Sequence, residues 1–148
     1  MIFEQLTEKS INTRSNIDID FDKLLKIGDW KGLFLGLFDI ARELFFVLDE
    51  NGSLLTINQY GASALDFTVE ELAGKHFMDL IDPMNSQVVN ASINLALKND
   101  NSFFETTLLN KFEKVNRYQI SIRTIKKDNS VIGLLGVGKD VTLQRKLE

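Results

Sequence analysis

The sequence predicts an α+β domain in which five antiparallel strands pack against helices grouped on one side. Three observations lead to this prediction. Two apolar runs flank an Asn51-Gly52 pair, an amphipathic segment follows Pro83, and residues 118–122 alternate between apolar and polar side chains. Alternation indicates a half-buried strand, whereas a stripe at helical spacing indicates a helix. The predicted order is two strands, a helical block and three more strands.

The first predicted helix of this domain covers Trp30–Glu43, where apolar side chains recur at helical spacing. So wide an apolar face has to pack on the domain or on a second copy of the chain. The residues before it form a polar N-terminal arm, which is expected to be partly helical around Phe21–Ile27 and to stop at Gly28. An acidic repeat in this arm does not fit a calcium loop, because the glycine that such a loop needs is replaced by Lys23.

The first two strands are predicted at Leu44–Leu48 and Leu54–Asn58, joined as a hairpin. Asn-Gly is a strong hairpin signal because both residues tolerate a positive φ. In the helical block, Gln59–Leu65 is the first helix. Thr68 and Glu71 then have the spacing of a capping box that begins a second helix.

A longer helix is predicted over Pro83–Lys98, with Asp82 as its cap and Pro83 at its first position. Its buried stripe is predicted at Met84, Val88, Ala91 and Leu95. Three strands follow, at Phe103–Asn110, around residues 118–123 and at Val131–Lys139. Three glycines in the last strand suggest a bend or a close approach over its face.

Composition limits the function classes. The chain has 148 residues, of which 44% are hydrophobic, and carries a net charge of −4. This is the composition of one globular domain, and its acidic balance disfavours nucleic acid as a partner. The chain has no cysteine, and no apolar run is as long as the roughly 18 residues of a membrane span. The start of the sequence does not resemble a signal peptide, so a cytoplasmic location is expected.

Catalysis by the chain itself is not expected. The sequence contains neither a phosphate-binding glycine loop nor a zinc-protease motif, and no nucleophile stands near a histidine in a suggestive pattern.

Several short motifs in the right order resemble a PAS domain over about Phe34 to Leu147. They are Phe46-Val47-Leu48-Asp49-Glu50-Asn51-Gly52, Asn58, Leu72-Ala73-Gly74-Lys75, Asp79-Leu80-Ile81-Asp82-Pro83 and the closing Gly136-Val137-Gly138-Lys139-Asp140-Val141-Thr142. The last contains the Asp-x-Thr ending of that family.

The resemblance implies a PAS fold, with strand order 2-1-5-4-3, helices over one face and a pocket between them. It divides the chain into an N-terminal arm with a helical extension (residues 1–33), the PAS domain (34–142) and the start of a C-terminal signalling helix (143–148). Such domains sense small molecules, redox state or light, or they dimerise. They act on effectors such as histidine kinases and cyclases, and the chain is expected to be an N-terminal fragment of a longer signalling protein.

The resemblance also bears on cofactors. The family's covalent flavin and cysteine-linked chromophore chemistries are excluded because the chain lacks cysteine. Haem is disfavoured, because its histidine ligand usually comes from the long helix, whereas the single histidine, His76, lies before it. Noncovalent flavin stays open, and the cofactor is left unknown, with none as the leading expectation.

Two sets of candidate site residues follow. The positions expected to line a ligand pocket between sheet and helices are Leu65, Phe77, Leu80, Val88, Tyr118, Ile120, Ile122 and Leu134. The alternative is that these side chains simply fill the core. Asp140 and Thr142 are the expected signal-coupling residues, because a short polar pair between a strand and a helix can hold the helix by side-chain hydrogen bonds.

Two functions remain open from the sequence. The first is a ligand-sensing input module that passes a conformational change to an effector. The second is a ligand-free PAS domain that dimerises through the helix Trp30–Glu43 and the arm before it. In either case a homodimer is expected, with a downstream effector domain and, for the first function, a small-molecule ligand.

Overall fold

The computed structural model describes Lys23 and residues 28–148. The chain divides into two compact units, residues 1–37 and 38–148. Apart from Lys23, the helix predicted around Phe21–Ile27 lies outside the described residues, as does the acidic repeat that does not fit a calcium loop.

The helix α1 covers Trp30–Ile40. Asp29 begins it, since its carboxylate accepts a hydrogen bond from the Gly32 amide at 2.8 Å. The predicted end at Glu43 was wrong. After Ile40 the chain turns toward the sheet, and the side-chain amide of Asn58 donates to the carbonyl oxygens of Phe38 (3.2 Å) and Glu43 (2.9 Å).

Five antiparallel strands form one sheet in the order β2-β1-β5-β4-β3, which confirms the predicted fold class. The strands are β1 (Leu44–Asp49), β2 (Leu54–Ile57), β3 (Asn101–Leu109), β4 (Val115–Lys127) and β5 (Ser130–Asp140). The chain therefore brings its first and last strands together at the centre of the sheet.

The β1–β2 hairpin is confirmed, but its turn is longer than a two-residue Asn-Gly loop. Gly52 has φ of +87°, whereas Asn51 does not have a positive φ. The Asp49 carboxylate accepts hydrogen bonds from the amides of Asn51 (2.8 Å) and Ser53 (3.0 Å). This aspartate holds the turn in the way typical of an Asx turn.

The helical block connects β2 to β3. It contains α2 (Gln59–Ala64), α3 (Val69–Leu72), two 3₁₀ helices (Phe77–Leu80 and Pro83–Asn85) and α4 (Ser86–Asn99). The capping box is confirmed by reciprocal bonds between Thr68 and Glu71, at 3.1 and 3.0 Å. Asp82 caps the second 3₁₀ helix through the Met84 amide, so the predicted single helix over Pro83–Lys98 is in fact split into two segments.

The predicted buried stripe of α4 was wrong by one position. Val89 and Ala96 are buried, with Ile93 packed beside them. The side chains of Met84, Val88 and Leu95 are 90%, 55% and 49% exposed, and Ala91 is exposed. Residues 88 and 89 are both valine, so the apolar pattern did not distinguish the two faces.

The core lies between the inner face of the sheet and the helical block. At its centre the Phe46 ring stacks on the Phe77 ring, with 4.8 Å between centroids. A Cβ at position 136 would stand 2.1 Å from the Phe46 ring. Gly136, which faces Phe46 across the strand pair, therefore provides the space that this ring occupies.

A last helix, α5 (Thr142–Lys146), follows β5 directly. Val141, between them, is 1% exposed. Among the described residues, no helix has the length and apolar character needed to cross a membrane.

Candidate functional site

The structure divides the eight predicted pocket residues into seven buried residues and one exposed residue. Seven of them are buried with 0–5% exposure and belong to the continuous core: Leu65, Phe77, Leu80, Tyr118, Ile120, Ile122 and Leu134. Val88 lies on the exposed face of α4, so its predicted place between sheet and helices was wrong.

The centre of the domain, where the pocket was expected, is filled by side chains. The Phe46 and Phe77 rings occupy the space between β5 and the first 3₁₀ helix. A well-packed interior of this kind leaves room for a guest only if side chains move. Most of the predicted pocket residues are therefore placed as core.

A pocket of about 200 Å³ lies instead at one end of the sheet. It is bounded by the β1–β2 turn, the first 3₁₀ helix, α4 and the start of β5. Of the predicted residues only Phe77 and Leu134 reach it. Its volume is below the roughly 300–1,000 Å³ of pockets that hold drug-sized ligands.

The lining of this pocket is mixed, with more apolar than polar surface. Asp49, Glu50, Asn51, His76 and Asn90 contribute polar groups, and Ile93, Leu97, Val131 and Leu134 are among its apolar residues. No lysine or arginine lines it. Such a lining offers no guanidinium or ammonium group for a charge-assisted hydrogen bond to a carboxylate or phosphate ligand.

His76 connects two walls of this pocket. Its Nδ1 accepts a hydrogen bond from the Met78 amide at 3.1 Å, so its Nε2 carries the proton and donates to the Asn51 carbonyl oxygen at 2.7 Å. Both nitrogens are thus occupied, and an axial bond from His76 to haem iron would break one of these contacts. Among the described residues, no three His, Asp or Glu side chains are arranged to hold a metal ion.

Tyr118 has a polar atom in the core. Its hydroxyl is buried and has no hydrogen-bond partner among the described residues. Burial raises the pKa of this hydroxyl, with smaller contributions from Asp140 and Tyr60. The phenol therefore stays neutral and lies at the end of the sheet where β5 leads into α5.

Asp140 and Thr142, the predicted coupling residues, are brought together at this end. The Thr142 hydroxyl donates to Asp140 Oδ1 at 2.6 Å and accepts a hydrogen bond from the Arg117 amide at 2.8 Å. The Thr142 amide also donates to Asp140 Oδ1, at 2.9 Å. We call this chain of hydrogen bonds, formed by Arg117, Thr142 and Asp140, the exit relay.

A second contact ties α5 to β3. Arg145 donates from Nε (3.0 Å) and Nη2 (2.6 Å) to Glu105 Oε1, while Arg117 Nε donates to Glu105 Oε2. These bonds, those from Arg145 first, lower the pKa of Glu105 from 4.5 to about 2. We call the group Glu105, Arg117 and Arg145 the exit clamp.

Sequence analysis missed the exit clamp and the role of Asn58. Glu105 and Arg145 are 40 positions apart, and only their positions on the sheet and helix bring them together. Asn58 is 1% exposed. Its Oδ1 accepts from the amides of Phe45 and Gly61, and its Nδ2 donates to two carbonyl oxygens. The signal available was a polar residue at the end of an apolar strand.

Comparison with known proteins identifies the fold. The family model described as "PAS domain" matches residues 42–143. A PAS domain from Colwellia psychrerythraea is similar, with a TM-score of 0.72 at 19% identity, covering 76% of this chain and 98% of that one. A domain of a sensory box sensor histidine kinase/response regulator from Geobacter sulfurreducens has a TM-score of 0.66 at 20% identity, covering 77% and 96%. No curated protein sequence matches the chain.

Proposed function

Because the chain belongs to the PAS domain family, a family of non-catalytic sensory signalling modules, we propose that it binds a small ligand or partner and passes a conformational change through α5 to a downstream effector. A histidine kinase or a cyclase is the proposed effector class. The similarity to domains from sensor histidine kinases supports the first. We further propose a cytoplasmic location and a homodimeric state.

The observation that carries this proposal is the exit relay. Arg117 belongs to β4, and its amide bonds Thr142 at the first position of α5, which in turn bonds Asp140 at the end of β5. A shift of β4 against β5 therefore changes the contacts that hold the start of α5. Each hydrogen bond of this kind contributes only a modest free energy, so one set of contacts can be replaced by another. This property suits an element that switches between two arrangements.

The test is the output of the proposed effector, measured in a protein that joins this domain to it. Asp140→Ala removes the acceptor of both Thr142 bonds, and we expect the fold to persist while the output no longer follows the signal. Lys139→Ala changes an exposed neighbour and serves as the matched control, with normal switching expected. Normal switching in Asp140→Ala would refute the proposed coupling role.

A second candidate function is ligand-free dimerisation, and the filled interior favours it. The Phe46–Phe77 stack leaves the centre of the domain without space for a guest, so pairing of two copies would be the main activity. Native mass spectrometry and an absorption spectrum of the purified protein separate the two candidates. A bound metabolite or chromophore supports sensing, whereas an empty domain supports dimerisation.

The dimerisation candidate makes its own prediction. The helix α1 and the segment before it are proposed to supply the interface, so removal of residues 1–35 should weaken association. Sedimentation of the full and truncated chains measures this. An unchanged sedimentation coefficient distribution over the same concentration range would reject this interface.

A further inference from the structure

We propose that the exit clamp is a device that holds the second half of α5 against the sheet, and that its opening frees this helix for signal output. The inference rests on the proposed function, because it assigns a regulatory role to the element through which the signal would leave. Glu105 is its central residue.

Two sets of contacts hold α5 (Thr142–Lys146) along its length. The buried Val141 and the exit relay fix its first turn. Farther along the helix, Arg145 is the residue that reaches the sheet, through its two bonds to Glu105.

The geometry of the clamp favours a concerted opening. Both carboxylate oxygens of Glu105 are engaged, one by Arg145 and the other by Arg117. Arg117 also donates its amide to Thr142 in the exit relay. A displacement of β4 at Arg117 thus acts on the start of α5 through the backbone and on its second half through the side chain.

Loss of the Glu105 charge also adds a repulsion between the two arginines of the exit clamp. With Glu105 in place, one carboxylate lies between two guanidinium groups. Without its negative charge, Arg117 and Arg145 would approach each other as like charges, which repel. Loss of the Glu105 interaction therefore disfavours the docked helix and does not merely remove an attraction.

Hydrogen exchange of individual amides, followed by NMR on this chain, tests the device. The Arg145 and Leu147 amides donate to the carbonyl oxygens of Val141 and Leu143, so their exchange reports opening of α5. We expect Glu105→Gln to accelerate both roughly two- to fivefold, the effect of an exposed charged contact. Arg145→Gln should act similarly, while the core amides of Phe46 and Ile120 keep their rates.

Lys146→Gln is the matched control. It removes one positive charge from the same helix at a residue that has no ion-pair partner among the described residues, so unchanged exchange is expected. Unchanged α5 exchange in Glu105→Gln would overturn the proposal. Equal acceleration of core and α5 amides in both clamp variants would overturn it as well, because the contact would then act only on global stability.

The two proposals can fail independently. If Glu105→Gln frees α5 but Asp140→Ala leaves effector output normal, the clamp stands and the coupling role of the exit relay is refuted. If Asp140→Ala abolishes the response while α5 exchange in Glu105→Gln is unchanged, the proposed function stands and the clamp is refuted.

Discussion

The centre of the domain and its exit end are built from opposite kinds of interaction. At the centre, Phe46 and Phe77 stack above a glycine with almost no exposed surface. At the exit end, hydrogen bonds and ion pairs between Asp140, Thr142, Glu105 and two arginines hold α5, with much of this surface exposed to water. The two regions also differ in which substitutions disturb them. A change in side-chain volume disturbs the centre, and a change in charge disturbs the exit end.

This difference shows how one small domain can be stable and responsive. Burial of a large apolar side chain contributes about 1.5–3 kcal/mol and does not depend on pH or salt in the ordinary range. Exposed ion pairs contribute about 0–1 kcal/mol and are screened by salt. A signal of modest energy can therefore rearrange the exit while the sheet keeps its structure.

The largest expected effect is at the centre. Phe46→Ala removes a fully buried ring that contacts Phe77, and truncations of this kind cost about 3–5 kcal/mol. Urea denaturation followed by circular dichroism measures the loss in free energy of unfolding. A cost below about 1 kcal/mol would show that this ring does not hold the core together.

The next effect tests the fit between Phe46 and Gly136. Gly136→Ala places a methyl group where the ring lies, and overpacking costs about 1–3 kcal/mol. In the double variant Gly136→Ala/Phe46→Leu the ring is absent, so the combined loss of stability should be smaller than the sum of the single losses. Additive losses would contradict the proposed steric conflict.

At the exit the expected effects are smaller. Thr142→Val removes the hydroxyl that links Arg117 to Asp140. We expect a cost of about 0.5–1.5 kcal/mol, the net contribution of a typical hydrogen bond, because the Arg117 amide is exposed and water can replace the lost acceptor. Thr142→Ser keeps the hydroxyl and should stay within about 0.5 kcal/mol of the wild type. Equal values for the two variants would exclude the hydrogen bond as the cause.

The smallest predicted effect on stability is a pH dependence of the exit clamp. The pKa of Glu105 is lowered to about 2 by Arg145 and Arg117, while Glu148 bonds the other side of Arg145. The stabilisation by Glu105 is therefore complete above its ordinary pKa of 4.5 and is lost as the pH falls from there toward 2. NMR titration of Glu105 measures this, and an ordinary pKa would contradict the clamp.

The sequence was informative wherever local chemistry decides the structure. The Thr68–Glu71 capping box, the Asp82 cap and the β1–β2 hairpin depend on residues a few positions apart, and all three were predictable. The strand order followed from the resemblance to a known family. Neither kind of prediction needed a knowledge of side-chain packing.

What the sequence could not predict depends on contacts between distant residues. The rotation of α4 was wrong because Val88 and Val89 fit the apolar stripe equally well. The sequence left open whether the candidate pocket residues line a pocket or fill the core, because nothing local shows that the Phe46 ring would fill the space over Gly136. Glu105 was missed because its partner, Arg145, is far away along the chain.

Amide exchange in Asp140→Ala tests most directly whether the exit is held independently of the centre. We expect the Arg145 and Leu147 amides to exchange about tenfold faster or more, as when hydrogen bonds to a charged group are lost, while the exchange rates of the Phe46 and Ile120 amides are unchanged. Equal acceleration at all four amides, or no change at the first two, would contradict an exit that is held independently of the centre.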